Sequence, residues 1–314
     1  MRLVYFGSGE FGVPTFRRLT RDHEIVLVVT QPDRPAGRKR APTPTPIASL
    51  AATLGVSVLK PESVNDPEVV RAVRGAHADA YVVIAYGQKL GGSLLEGVFA
   101  INLHGSLLPR HRGAAPVNWA IIRGDATTGV SVITLADRMD AGEILGQSVT
   151  PIDPMETAGE LHDRLALLGP DLVSEVLRRH EAGSLTRQPQ DERLATRAPK
   201  FTKADGTVSF DQPADQVRNR VHGLTPWPGC WVELDGKPLR LHRVLVTQAA
   251  ETSNAPPGTI IEGDLVVCAP GAIRLLAVQA PGGKMMAFAA YRAGHPVPAG
   301  SRLAPRNADA PEGA

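Results

Sequence analysis

Cysteine is scarce in this 314-residue chain, which has only Cys230 and Cys268. Their separation fits neither the close spacing of a metal site nor the paired framework of a small disulfide-bonded domain, so no metal is expected. Long apolar runs are missing too: none approaches the roughly 20 residues that a membrane-crossing helix needs. The chain enters at once a strand-like stretch, Arg2-Leu3-Val4-Tyr5-Phe6, where a secretory leader would place its basic and apolar regions. No membrane partner is expected, and a reducing cytoplasm is the expected compartment. Nor is there a large charge of one sign, since the formal net charge is +2. That figure hides an asymmetry, because residues 193–306 carry fourteen Lys and Arg against eight Asp and Glu. Such an excess suits an anionic partner, although an ordinary solvated surface produces the same composition.

A chain of this length is expected to form two domains. In its first half, short apolar runs at 3–6, 24–29, 56–59, 80–86, 99–103 and 130–135 alternate with helix-like segments at 45–54 and 66–73. Strands that are apolar nearly throughout belong to a sheet buried on both faces, hence parallel with crossover helices. The expectation is an α/β, Rossmann-like, doubly wound and mostly parallel sheet, closed by one long helix over 157–182. Residues 188–206 turn polar and basic with two prolines and little periodicity, which reads as a linker. The division expected is 1–188, a linker at 189–205, and 206–314. Beyond the linker, one helix (213–222) precedes short alternating strands with Gly, Asp and Pro turns, the pattern of a small all-β barrel.

Candidate chemistry begins at Ile101-Asn102-Leu103-His104-Gly105-Ser106-Leu107-Leu108-Pro109-Arg110. Side chains alternate across a strand, so Asn102 and His104 share one face. The carboxyl end of a buried parallel strand is where open α/β sheets bind ligands. A hydrogen-bonded core His beside a loop Asn fits the same spacing. The wider text, GSLLPRHRGAAP at 105–116 and DRMDAGE at 137–143, resembles the folate-dependent formyltransferases.

The resemblance implies a formyltransferase fold followed by an oligonucleotide-binding-like (OB-like) barrel. It implies 10-formyltetrahydrofolate as co-substrate and the α-amino group of methionyl initiator tRNA as acceptor. The family's catalytic Asn, His and Asp fall on Asn102, His104 and Asp140; Asp137 competes for the acidic role, but only Asp140 precedes the Ala-Gly turn. Ser106, Leu107, Leu108 and Pro109 match the family's folate-binding loop, and Tyr86 with Gly87 match a second wall of that pocket. The basic stretch RPAGRKR matches a loop that enters the tRNA acceptor stem. It places Arg34, Arg38, Lys39 and Arg40 against RNA, with Arg38 in the selective position. In the second half, Lys203, Arg218, Arg220, Arg240 and Arg243 are candidates for phosphate contacts. Because tRNA has to reach both halves, a monomer is expected.

These residue types suit the reaction implied. Attack of an amine on the formyl carbon gives a tetrahedral species with a negative oxygen, which needs donors already aimed at it, such as the Asn102 amide and a His104 ring N–H. The acceptor amine titrates near 8 and needs no activated Ser or Cys. A proton must leave it and one must reach the departing folate nitrogen, a relay suited to a carboxylate beside an imidazole.

Three other readings stay open here. Gly7-Ser8-Gly9-Glu10-Phe11-Gly12 satisfies GxGxxG after the first strand, with Asp33 at the distance of a ribose-binding acid, as in an NAD-dependent oxidoreductase. A sugar-nucleotide N-formyltransferase would share the same Asn, His and Asp, and a non-catalytic RNA-binding module would explain the basic segments alone.

Overall fold

The computed structural model describes residues 1–36, 41–247 and 254–306. Two compact units emerge, each discontinuous in sequence: 1–112 with 129–150 and 162–197, and 113–128 with 151–161 and 198–314. Chain order runs β1 (Arg2–Gly7), α1 (Val13–Asp22), β2 (Glu24–Val29), β3 (Arg34–Ala36), β4 (Ala41–Thr43), α2 (Pro46–Thr53), β5 (Val58–Leu59), α3 (Pro67–Gly75), β6 (Ala80–Ile84), α4 (Gly92–Leu95) and β7 (Phe99–His104). It continues with α5 (Pro116–Ile122), β8 (Thr127–Thr134), β9 (Ile144–Pro151), α6 (Ala158–Ala166) and α7 (Gly169–Glu181).

The first unit is built on a seven-stranded sheet of order β5-β2-β1-β6-β7-β8-β9. Strands β5 to β7 along that path are parallel, and β8 pairs antiparallel with β7. The run at 130–135 is as apolar as its parallel neighbours, so its reversed direction was not readable from composition. Alternation in β1 explains the two-faced burial. Val4 and Phe6 pack with Leu27, Val83, Val73 and Leu94, whereas Tyr5, on the other face, lies against Phe16 of α1 with ring centroids 4.8 Å apart.

Local chemistry sets the helix ends. Thr45 accepts a hydrogen bond from the Ala48 N–H at 3.0 Å, and Pro46 opens α2 at the position where no N–H is needed. Asp66 occupies the corresponding place before α3 but makes no side-chain cap bond. The single helix expected over 157–182 is two, because the chain breaks at Leu167-Leu168 and restarts at Gly169-Pro170. Glycine is required there: a Cβ on Gly169 would lie 2.5 Å from Thr15 Oγ1 and 2.6 Å from Leu103 Cδ2.

The second unit places α8 (Ala214–Gly223) over an antiparallel sheet of β10 (Cys230–Leu234), β11 (Lys237–Thr247), β12 (Ile260–Glu262), β13 (Leu265–Val267), β14 (Ala272–Gln279) and β15 (Met286–Ala287). The short α9 (Phe288–Gly294) and β16 (Leu303–Pro305) complete it. Asp235 and Gly236 turn β10 into β11 with φ of 48° and 80°, the left-handed pair of a tight hairpin. The ends of the strand path meet, since Ile260 N–H donates to Ser301 O and Leu303 N–H to Gly258 O, both at 2.8 Å. The sheet thereby curls onto itself, around a core that includes Val217, Val221, Leu241, Val244, Ile273 and Phe288. Among the described residues no helix is long and apolar enough to cross a membrane.

Candidate active site

Sheet order reverses between β1 and β6, and the carboxyl ends of β1, β6 and β7 line up there, the usual ligand edge of an open α/β sheet. Asn102 and His104 end β7. Asn102 is paired through its backbone with Val83 and Ile133, and its side-chain amide, partly exposed, has no hydrogen-bond partner among the described residues. His104 is 7% exposed. Its Nε2 lies 2.9 Å from the carbonyl oxygen of His111, and its Nδ1 lies 3.7 Å from Asp140 Oδ1. A carbonyl only accepts, so Nε2 carries a proton and Nδ1 is the nitrogen turned to the carboxylate.

Asp140 owes its place to the turn that follows. Its φ is +54°, a left-handed conformation that Asp tolerates better than most residues. Gly142 lies flat against β8, where any Cβ would overlap the Thr134 carbonyl. Thr134 Oγ1 also accepts from Glu143 N–H at 2.9 Å. The structure thus brings Asp140 beside His104 and leaves Asp137 exposed three residues away.

The loop 105–112 is organised by its own polar atoms. Ser106 is fully buried and its hydroxyl donates to Arg110 O at 2.7 Å. Ser131 Oγ, opposite His104 on β8, donates to Ser106 O at 2.7 Å and accepts from Leu108 N–H at 3.0 Å and Gln147 Nε2 at 2.8 Å. Leu108 packs with Ile133 and Ile144, whereas Leu107 and Pro109 are partly exposed. The Tyr86 ring faces inward, edge-on to Phe6 at 5.6 Å, and burial pushes its hydroxyl up to about 12. Only its backbone and the exposed Gly87, at φ +92°, face the sheet edge.

Sequence reasoning missed Ser131, Gln147, Gln190 and Thr196. Gln190 Nε2 donates to Asp140 O at 2.8 Å and Gly142 O at 2.7 Å. Thr196 Oγ1 accepts from His111 N–H at 2.9 Å. Nothing in a polar stretch flanked by prolines distinguishes these two from solvated linker residues.

Of the basic stretch, Arg34 opens β3, which pairs with β4, and its side chain meets Glu62 at 3.0 Å. Arg38, Lys39 and Arg40 lie outside the described residues. In the second unit several candidate cations are engaged internally. Arg220 donates to Thr207 O and Asp205 O, Arg218 to Asn219 Oδ1, Arg240 to Pro226 O, and Arg243 to Met155 O and Glu160. Two of the three GxGxxG glycines have a packing reason: a Cβ on Gly7 or Gly12 would overlap Tyr5, whose hydroxyl donates to Gly12 O at 3.0 Å. Asp33 pairs with Lys60 at 2.6 Å. Among the described residues no cluster of three or more His, Cys, Asp or Glu could hold a metal ion.

Comparison with known proteins bears on the family and the fold. The formyl transferase family profile matches residues 1–177, and the formyl transferase C-terminal domain profile matches residues 200–296. Methionyl-tRNA formyltransferase of Geobacter sulfurreducens is 43% identical over 310 residues, covering 96% of this chain and 96% of that protein. The Geobacter metallireducens protein of the same name is 40% identical over 310 residues, covering 96% and 98%. Among solved structures, the N-formyltransferase from Helicobacter canadensis in complex with folinic acid and dTDP-3-aminofucose superposes with a TM-score of 0.65 at 13% identity, over 87% of this chain and 98% of that one. HypX from Aquifex aeolicus with tetrahydrofolic acid gives 0.61 at 16% identity over 93% of this chain, which spans about half (47%) of HypX. At such identities the structures speak for the fold alone. The profile matches and the near-full-length relatives go further: this chain belongs to the formyl transferase family.

Proposed function

We propose that this protein transfers the formyl group of 10-formyltetrahydrofolate to the α-amino group of methionyl initiator tRNA, as a cytoplasmic monomer. The observation that carries the chemistry is the approach of Asp140 to His104 Nδ1 at 3.7 Å, with Asn102 two residues away on the same strand face. Asn102 and His104 are assigned the developing oxyanion and the proton relay. The bond formed joins the amine nitrogen to the formyl carbon, and the bond broken joins that carbon to N10 of the folate. The amine loses a proton to the Asp140–His104 pair, N10 gains one from it, and the pair returns to its starting state. Because Nε2–H is held by His111, the relay runs through Nδ1.

Ser106, Leu107, Leu108 and Pro109, with the backbone at Tyr86 and Gly87, are assigned to the folate. Since Ser106 is buried and bonded within its own loop, its contribution is to shape the backbone that meets the ligand. Arg34, Arg38, Lys39 and Arg40 are assigned to the acceptor stem. Residues 1–188 are taken as catalytic, 189–205 as connecting and 206–314 as the tRNA-binding part.

Acceptor choice separates this reading from a sugar formyltransferase. The protein with 10-formyltetrahydrofolate is offered methionyl initiator tRNA or a dTDP-amino sugar, and formylated product is quantified by mass spectrometry. Formylmethionyl ester supports the proposal. A formylated sugar with untouched tRNA contradicts it.

A further inference from the structure

Both working loops of the site are tied to one short segment, 190–196, which composition marks only as linker. The side-chain amide of Gln190 is saturated. Its Nε2 donates to Asp140 O and Gly142 O at 2.8 and 2.7 Å, and its Oε1 accepts from Arg112 Nε and Nη2 at 3.0 and 2.7 Å. The reversed amide would set an oxygen against two carbonyls and an NH2 against a guanidinium, so the orientation is fixed by chemistry. Glu192 grips Arg112 from the other side through both carboxylate oxygens, at 2.9 and 3.1 Å, and pairs with Arg138 of the Asp140 loop at 2.7 Å. Hydrogen bonds from Arg112 and Arg138 hold the Glu192 carboxyl down to about 2, so this anchor is charged at any working pH.

Four residues beyond Glu192, Thr196 grips the other loop. Its hydroxyl accepts from His111 N–H at 2.9 Å, its N–H donates to Pro109 O at 3.3 Å, and its carbonyl accepts from Arg112 N–H at 2.8 Å. His111 is the residue whose carbonyl orients the His104 ring, and it stands at φ +60°. Asp140 and His111 are both non-glycine residues in the left-handed region, a conformation that persists where the surroundings over-determine it.

We infer that the segment 190–196 is a positioning clamp for the reaction, with Gln190 setting the Asp140 carboxylate and Thr196 setting His104 through the His111 carbonyl. The inference rests on the roles proposed above for Asp140 and His104. Neither Gln190 nor Thr196 need touch substrate; each acts by fixing a backbone carbonyl from which a working side chain takes its direction. Misplacement of a reacting group by about 1 Å costs on the order of a hundredfold in rate, so such supports carry rate rather than binding.

The test is a double-mutant cycle read by single-turnover formylation of methionyl initiator tRNA. Gln190→Met keeps the shape and removes the donor; it is expected to lower the rate about 30-fold or more while KM for 10-formyltetrahydrofolate stays within about threefold. In an Asp140→Ala background the same change is expected to add less than about twofold, because the group it positions is gone. Full additivity in that background, or an unchanged rate in the wild-type background, overturns the clamp. Asp140→Ala at the wild-type rate overturns instead the proposed role of Asp140, so the two failures are distinct. Thr196→Val, which loses only the hydroxyl acceptor, is paired with His104→Ala in the same way and carries the test if Gln190→Met does not fold.

Discussion

His104 donates its Nε2–H to the carbonyl oxygen of His111 at 2.9 Å. That bond fixes both the tautomer and the plane of the ring, and it leaves Nδ1 as the atom that handles protons with Asp140, 3.7 Å away. A gap of that length is wider than a direct hydrogen bond. Orientation by a backbone carbonyl is rigid, because His111 is itself buried and held through its N–H by Thr196.

Gly142→Ala tests how tightly the Asp140 turn is built. The added Cβ would overlap the Thr134 carbonyl, so either β8 or the turn has to move. Turnover is expected to fall at least about tenfold, with a lower melting temperature, the usual result of forcing a side chain into filled space. Retention of wild-type turnover would show that the turn tolerates displacement.

His222 gives a pH dependence of stability. Burial, with the nearby charges of Arg243 and Arg218, pushes it down to about 4, and it accepts a hydrogen bond from Val244 N–H at 3.1 Å. Its ordinary value in an unfolded chain is near 6.5, so the folded state holds the ring neutral where the unfolded state takes up a proton. The stability this gives is complete above about pH 6.5 and is lost as pH falls from there toward 4, by up to about 1.4 kcal/mol per pH unit. Burial shifts His242 in the same direction. Trp119, Trp227 and Trp231 all lie in the second unit, so tryptophan fluorescence reports its unfolding selectively. Urea melts at pH 7.5, 6 and 5 followed this way should show the loss, and His222→Gln should reduce its slope.

Burial pushes the thiols of Cys230 and Cys268 up to about 12. Thiolate is the reactive form, so the folded protein is expected to resist alkylation at pH 8 and to label only as the second unit opens in urea. Rapid labelling of both thiols without denaturant would contradict the packing described.

Much of the first unit was legible because its determinants are local. Apolar runs gave the strands, Thr45-Pro46 gave a helix start, and alternation put Asn102 and His104 on one face. The family resemblance preferred Asp140 to Asp137 because the Ala-Gly turn follows it, and the overlap at Gly142 is the physical reason for that glycine. Gln190 and Thr196 were not legible, because they bind backbone atoms and so leave no complementary residue type to look for. The allegiance of α5 was hidden for a similar reason. It lies within the first half of the sequence but packs on α8, where Gly223 admits Ile122 and accepts a hydrogen bond from Asn118 Nδ2 at 2.7 Å.

In the basic segment RPAGRKR, Arg38→Ala is expected to weaken discrimination between initiator and elongator methionyl-tRNA. Lys39→Ala and Arg40→Ala should reduce affinity in a salt-dependent way without changing preference. Parallel kcat/KM measurements on the two tRNAs at two salt concentrations check this. An unchanged preference in Arg38→Ala would reduce the loop to bulk charge.

The role proposed for Asn102, His104 and Asp140 is to move a formyl group onto methionyl-tRNA. Its most direct test is single-turnover formation of formylmethionyl ester at saturating 10-formyltetrahydrofolate, comparing wild type with Asn102→Ala. Removing one donor to a developing oxyanion costs about 2.7–4 kcal/mol, so a fall of about a hundredfold to a thousandfold is predicted, with folate affinity and melting temperature retained. A variant that forms the ester at the wild-type rate would contradict the account.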